Sequence, residues 1–269
     1  WDFRYCFNKY SNTDLLFIVG IDKGKEVGLL PIQYNFDKKY LEFFGGSYME
    51  DNQVFLKKGF NHYWYDFFTF VKEHSKKPYN FEDVVINDID TRDFTFLESK
   101  YYLELQKYES YDDYFLKSFN SKRRKNIKND FKKILNSSIE KKFDYFADIA
   151  LLFTFINKSY GNDSSFLAPN REKIFRNTTK LKGVRMISYI INGTTEGVSL
   201  FCEYKETYTF LGVGSNRISY PNLGKYIIFD NIRNAYSKKM RIFDASVEEC
   251  NWKDKMNFST IPQYQLRSN

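Results

Sequence analysis

"TYTFLGVGSNRISYPNLGKYIIFDNIRNAYSKKMRIFDAS" occupies Thr207–Ser246, and the order of elements within it decides the fold. An aromatic and β-branched run, Thr207–Val213, gives way to a polar loop containing Pro221. A single glycine, Gly224, then opens the amphipathic run Lys225–Ser237, with Leu223, Ile227, Ile228, Ile232, Ala235 and Tyr236 on one side. "MRIFDA" follows as a short strand. Upstream, Val184–Ile191 and Val198–Tyr204 read as strands joined through Asn192-Gly193, and Lys205-Glu206 leads into Thr207. The segment is therefore an antiparallel meander, a glycine turn, a helix and a strand. A doubly wound dinucleotide fold carries its glycines after a strand of a parallel unit, so Gly224 belongs to a different architecture.

The turn has the chemistry of an anion site. The first backbone N–H groups of a helix lack internal acceptors, and the helix dipole adds partial positive charge there. Without a Cβ, Gly224 lets a phosphate approach the backbone. Arg217 and Lys225 bring further charge.

Further upstream, Ile139–Phe146 reads as a strand, Ala147–Tyr160 and Arg171–Leu181 as helices, and Gly161–Leu167 as a loop. "SKRRKNIKNDFKKILNSS", from Ser121, has helical period and strong basicity. Ile127, Phe131, Ile134 and Leu135 share one face, and Arg123, Arg124, Lys125, Lys128, Lys132 and Lys133 cover the rest. Ser121 is the expected cap, and "NSS" the expected end. Such a run is either a solvated face or a surface for an anionic ligand. The change of character there predicts domains at 1–120 and 139–269, joined by a basic connecting helix over 121–138. In the first third, Leu15–Ile21 and Val27–Tyr34 form a predicted hairpin, Gly45-Gly46 a break, and Asn61–Glu73 an aromatic-rich helix. "FEDVVINDI" and "YYLELQ" read as strands, and "YDDYFLKSF" as a helix.

Composition narrows the chemistry. The chain has 269 residues, with 41 basic against 34 acidic, a net charge of +7. That excess permits an anionic partner and does not demand one. Three cysteines, Cys6, Cys202 and Cys250, are dispersed and show no metal spacing or disulfide framework, which favours a reducing, cytoplasmic setting. The two histidines, His62 and His74, make a metal site an expected absence and leave little for a histidine-dependent nucleophile. His62 lies in an aromatic run and reads as structural. No apolar stretch reaches the roughly 18–20 residues that span a bilayer; the longest is "IALLFTFI", Ile149–Ile156.

Four stretches together resemble the GNAT acyltransferase superfamily, and more narrowly the CelD/BioF-like acyltransferases related to the FemABX transferases. "FFGGSYMEDNQVFL" is similar to the family's glycine and acidic run in the first domain. "SKRRKNIKNDFKKIL" resembles its Ser-x-x-Arg-x-x-Ile basic helix, "LGKYIIFDNIRNAYSKKMRIFDAS" its glycine turn, helix and Phe-Asp strand, and "NWKDKMNF" its terminal aromatic-lysine motif. The resemblance implies an α+β fold of two tandem GNAT-like domains, each a mixed, mostly antiparallel sheet flanked by helices. It implies an acyl-CoA co-substrate, acetyl-CoA foremost, whose pyrophosphate sits on the turn after the fourth strand. Arg217, Asn222, Leu223, Gly224, Lys225 and Tyr226 are the matching positions. The usual loop reads Gln/Arg-x-x-Gly-x-Gly/Ala, whereas Pro221 and Tyr226 hold its first and last positions here. Fem-like relatives take aminoacyl-tRNA instead, so a transferase acting on a peptide or cell-wall precursor is the alternative. A non-enzymatic binding module on the same fold is a third reading.

Acyl transfer to an amine needs the amine deprotonated, the tetrahedral oxyanion stabilised and the leaving group protonated; no protein nucleophile is required. The resemblance implies Lys253, after Trp252, as the charge-stabilising lysine. Asp244, at the end of the last strand, is placed to orient Lys253 or take the amine proton, with Glu248 and Glu249 as further bases. Tyr204 and Tyr208 flank the meander turn, and one of them, Tyr204 foremost, is the expected acid for a leaving thiolate. Arg123 and Arg124 are expected to bind a carboxylate or phosphate in a cleft between the domains. Asp51 with Glu50, and Ser164 in the loop Gly161–Leu167, are expected to meet a small-molecule or peptide amine acceptor.

Overall fold

The computed structural model describes residues 1–46, 48–86, 93–161, 164–247 and 252–268. These divide into two compact units. One holds Trp1–Lys100 and the run from Ile261 onward; the other holds Tyr101–Ser246 and the segment leading to Thr260. The division thus falls earlier than the expected 120/121 boundary. The reason is strand pairing: the chain joins the second unit's sheet at Tyr102–Glu104, before the basic helix begins.

In the first unit, α1 (Asp2–Asn8) precedes the hairpin β1 (Thr13–Asp22) and β2 (Lys25–Asn35). Lys23 and Gly24 both take positive φ, 49° and 75°, as a two-residue turn matched to strand twist requires. β3 (Tyr40–Phe43) and β4 (Phe55–Leu56) pair with β2. α2 (Trp64–His74) buries Trp64, Phe67, Phe68 and Val71, the face that its aromatic spacing predicts. β5 (Asn80–Val84) pairs antiparallel with β12 (Ser259–Arg267), and β12 lies between β5 and β6 (Thr95–Glu104) in the sheet order. Neither β12 nor α1 is apparent in the sequence. Leu30, Ile32, Phe68, Phe81 and Val84 are completely buried at the centre of this unit's core.

In the second unit, α3 (Tyr111–Ser118) and α4 (Ser121–Leu135) precede β7 (Ile139–Phe143). The cap of α4 is Asn120 rather than Ser121: its side chain accepts from the Arg123 amide at 2.9 Å. α5 (Ile149–Tyr160) and α6 (Arg171–Thr178) follow, then the meander β8 (Val184–Ile191), β9 (Thr194–Tyr204) and β10 (Thr207–Ser215). α7 (Leu223–Ser237) and β11 (Ile242–Asp244) complete the run. The strand order is β6, β11, β10, β9, β8, β7, with only β10–β11 parallel among the described pairings.

Helices cover the sheet closely. At Gly214 an added Cβ would stand 2.6 Å from the Leu152 carbonyl oxygen, so only glycine admits α5 there. α7 brings a polar network into its contact with the sheet. Tyr189 donates to Asp230 (2.8 Å), Lys141 pairs with Asp230 (2.6 Å), and the Asn231 amide reaches Tyr189, Ser199 and the Ile227 carbonyl. Buried polar atoms matched this way fix the register of α7 on the sheet. Among the described residues no helix is long and apolar enough to cross a membrane.

Candidate functional site

Two features of the second unit converge on β10. The first is a fork. β10 and β11 pair in parallel at Thr207–Ile242, Tyr208–Phe243 and Thr209–Asp244, and the pairing ends there. Just beyond, the β9–β10 register shifts between Phe210 and Gly212, a bulge that bends β10 at the same level. Asp244, 7 % exposed, therefore stands where the two strands part. Its Oδ1 accepts from the Ser246 amide at 2.9 Å, and Ser246 takes positive φ (63°). Lys253, 4 % exposed, donates from Nζ to the Ser246 carbonyl at 3.1 Å and lies 5.4 Å from the Tyr101 ring centroid and 5.8 Å from that of Trp252. The Ser246 hydroxyl donates to the Phe210 carbonyl at 3.3 Å. Asp244 and Lys253, expected to act together, are thus joined through Ser246, a residue with no sequence signal of its own.

The second feature is the turn at the far end of β10. Gly224 does not have positive φ; a Cβ there would meet only the Ser215 hydroxyl, at 3.2 Å. The glycine is therefore not required by backbone conformation, and it leaves open the space beside the Ser215 hydroxyl. Leu223 and Tyr226 donate their amides to Tyr220 and Asn222, whereas those of Gly224 and Lys225 have no backbone acceptor among the described residues. Asn216 organises the preceding loop: its Nδ2 donates to Glu196 (2.7 Å), and its Oδ1 accepts from the Ser219 amide (3.3 Å). The motif Asn-x-x-Ser was the available signal for it.

The basic helix α4 lies against this turn. Asp130 pairs with Lys225 (2.6 Å), and its carbonyl accepts from Asn222 (3.3 Å). Lys133 donates to the Ser219 carbonyl (2.7 Å). Phe131 stacks edge-on with Tyr226, whose ring also meets Tyr189. The Tyr226 ring is therefore packed beside α4, and burial with the Asp230 charge raises its hydroxyl pKa, opposed by Arg233. From Phe210 at the fork to Ser215 at the turn, β10 covers roughly 17 Å at about 3.4 Å per residue.

No protein-family model and no curated protein sequence matches the chain. Solved structures do. L-PGS from Bacillus licheniformis superposes with a TM-score of 0.64 at 8 % identity, covering 98 % of this chain and 90 % of that one. FemX gives 0.62 at 8 % identity, covering 99 % and 91 %. A tandem GNAT protein from the clavulanic acid biosynthesis pathway gives 0.55 at 10 % identity, covering 96 % and 84 %. The fold is a tandem GNAT-like one.

Within this GNAT-like frame β10 is the fourth strand counted from β7, and α7 follows it directly. The other predicted residues lie elsewhere. Tyr204 is 67 % exposed at the β9–β10 hairpin, the end of β10 opposite Gly224. Arg217 is exposed, donating to the Tyr160 hydroxyl at 2.5 Å with its guanidinium over that ring. Arg124 closes α3, donating to the Leu116 and Phe119 carbonyls; Arg123 is half-buried. Ser164 accepts from the Phe166 amide at 3.3 Å. Asp51 belongs to the first unit, where it accepts from Lys100 and Gln263. Glu248 and Glu249 lie outside the described residues. Among those described, no three His, Cys, Asp or Glu side chains are placed to hold a metal ion.

Proposed function

We propose that the chain is an N-acyltransferase that takes its acyl group from acyl-CoA, acetyl-CoA foremost, and delivers it to an amine. The observation that carries this reading is the pair of amides at Gly224 and Lys225 that have no backbone acceptor among the described residues, at the end of the strand that parts from its parallel neighbour near Lys253. Donor phosphates would take those amides, with Arg217 exposed nearby in sequence. The extended pantetheine arm would follow β10 to the fork. There the amine attacks the thioester carbonyl, a C–N bond forms as the C–S bond breaks, and the amine proton passes to Asp244 or water. The Lys253 ammonium, desolvated, favours the developing oxyanion. Tyr204 is exposed at the β9–β10 hairpin, so solvent fills the role of acid for the thiolate in this scheme. Within the GNAT-like fold, the quoted motifs favour the CelD/BioF-like subgroup. Calorimetric titration with acetyl-CoA and longer acyl-CoAs tests the donor: micromolar binding supports it, and no binding at millimolar concentration overturns it.

A second reading has its own support. The basic helix α4 flanks the turn, and FemX and L-PGS are among the structures that share the fold. An aminoacyl-tRNA donor would meet that face. Binding of charged tRNA that weakens steeply with salt favours it, because phosphate contacts release counterions. A non-enzymatic module, the third reading, is excluded once turnover is seen in the native protein and lost in a folded Lys253→Ala variant.

A further inference from the structure

In the first unit, β5 carries an unusual aspartate. Asp83 is 4 % exposed, has a left-handed backbone (φ 56°) inside a strand, and leaves Oδ1 without a hydrogen-bond partner among the described residues. Each feature is costly by itself, and a fold that keeps all three at one residue holds them for a reason. The neighbours indicate that reason. Segment 50–52 lies along one edge of β5: the Asn52 amide donates to the Asp83 carbonyl at 2.9 Å, and Asn52 bridges Val84. β12 lies along the other edge, with Tyr264 opposite Val84. From these two sides Asp51 and Gln263 meet, Nε2 to Oδ1 at 3.3 Å. Gln263 is completely buried, yet its Oε1 also has no donor among the described residues. Two buried acceptor oxygens on adjacent strands thus stand unfilled, and the Asp51 charge acts on one while its carboxylate bonds the other's amide.

Among the described residues that act on Asp83, carboxylates predominate. Glu50, Asp51, Glu82 and Glu98 all act on Asp83 and, after burial, drive its pKa up to about 8. Lys100 pairs with Asp51 and Glu50, and Arg4, whose own pKa burial lowers to about 10, feels Asp51. Carboxyls outnumber these cations. Among the described residues no three of them converge closely enough for a metal ion, so a larger cation with several directional N–H donors suits the spacing better.

We propose that Asp83 and Gln263, with Asp51 beside them, form a binding site for the terminal ammonium of a primary amine, from either a free diamine or a lysyl side chain. The ammonium donates to Asp83 Oδ1 and Gln263 Oε1, and Asp83 gives up its proton to solvent as the cation enters. The site stands within the first unit and does not depend on acyl transfer.

Calorimetry on the full chain tests this, with cadaverine and an Nα-acetyl-lysine amide as the two sources, and tetramethylammonium and Mg²⁺ as controls. At pH 7 about a tenth of Asp83 is ionised, so binding should release close to one proton, seen as a dependence of the heat on buffer ionisation enthalpy. Affinity should rise about tenfold from pH 7 to pH 9 while proton release falls towards zero. Asp83→Asn, nearly isosteric, should lose at least tenfold in affinity and all the pH dependence. Tighter binding of the lysine amide selects the peptide source, and tighter binding of cadaverine the free diamine. Absence of amine binding at millimolar concentration, an unchanged pH profile in Asp83→Asn, or displacement by millimolar Mg²⁺ overturns the proposal. The proton release is measured on the native protein, so the test does not rest on the variant.

Discussion

At the scale of single residues, Asp83 shows how burial changes the proton affinity of an ordinary side chain. Asp83 titrates near 8 in the folded chain and at about 3.9 unfolded. Between those values the unfolded chain gives up a proton that the folded chain keeps. Stability contributed here therefore falls as pH rises from about 4 to 8 and stays low above it. Asp83→Asn removes that loss: it should stabilise the free protein by ~2–4 kcal/mol at pH 8–9 and by little at pH 4, measured by urea unfolding. A stabilising substitution at a site that binds amines would be the expected trade of stability for function.

Gly224 gives a second test at this scale. A methyl group there meets only the Ser215 hydroxyl at 3.2 Å, and alanine favours a helix by ~1 kcal/mol over glycine. Gly224→Ala should therefore change stability by less than about 1 kcal/mol while weakening acyl-CoA binding at least tenfold. A variant equally stable and equally able to bind would make the glycine a structural convenience.

At the scale of elements, α4 and α7 act as a pair. Lys225 is held by Asp130, a pairing with both side chains partly solvated, so its loss costs under about 1 kcal/mol. Asp130→Asn should free Lys225 for the turn and tighten binding of a phosphate-bearing donor severalfold, read by calorimetry at low salt and diminished at high salt. Phe131 supplies the apolar half of the same contact, against Tyr226 and Phe229. Phe131→Ala should cost about 3 kcal/mol and disturb the turn indirectly. The amphipathic face of α4 was legible because Ile127, Phe131 and Ile134 recur at helical spacing, and all three are buried. Leu135, expected on that face, is 58 % exposed because the helix ends there. Which side of α4 meets α7 was not legible, since Asp130 and Lys225 are 95 residues apart.

At the scale of the whole molecule, the last strand ties the chain's end to its beginning. Leu266 is 2 % exposed within the first unit's core, and β12 pairs with β5 across a separation of about 180 residues. Leu266→Ala should destabilise by about 2–4 kcal/mol. Hydrogen exchange should quicken at amides of β2, β3 and β5 and change little at those of α7, if the two cores open separately.

Local pattern determined much of this protein. Helical spacing marked α2, α4, α5 and α7; turn residues at Lys23-Gly24 and Asn192-Gly193 marked the hairpins; the order of meander, turn, helix and strand pointed to a GNAT-like unit. These signals are short-ranged, carried by side chains a few residues apart, and a sequence shows them directly. Tertiary structure alone decided the rest. β12 was invisible because its residues, Ser259–Arg267, alternate weakly and find their apolar partners only beside β5. Ser246 joined Asp244 to Lys253 because two parallel strands part at that level. Asp83 became unusual only when the fold buried its carboxyl among the charges of Glu98, Glu50, Glu82 and Asp51 and left Oδ1 without a partner among the described residues. Burial and charge act through space, and distance along the chain carries no record of them.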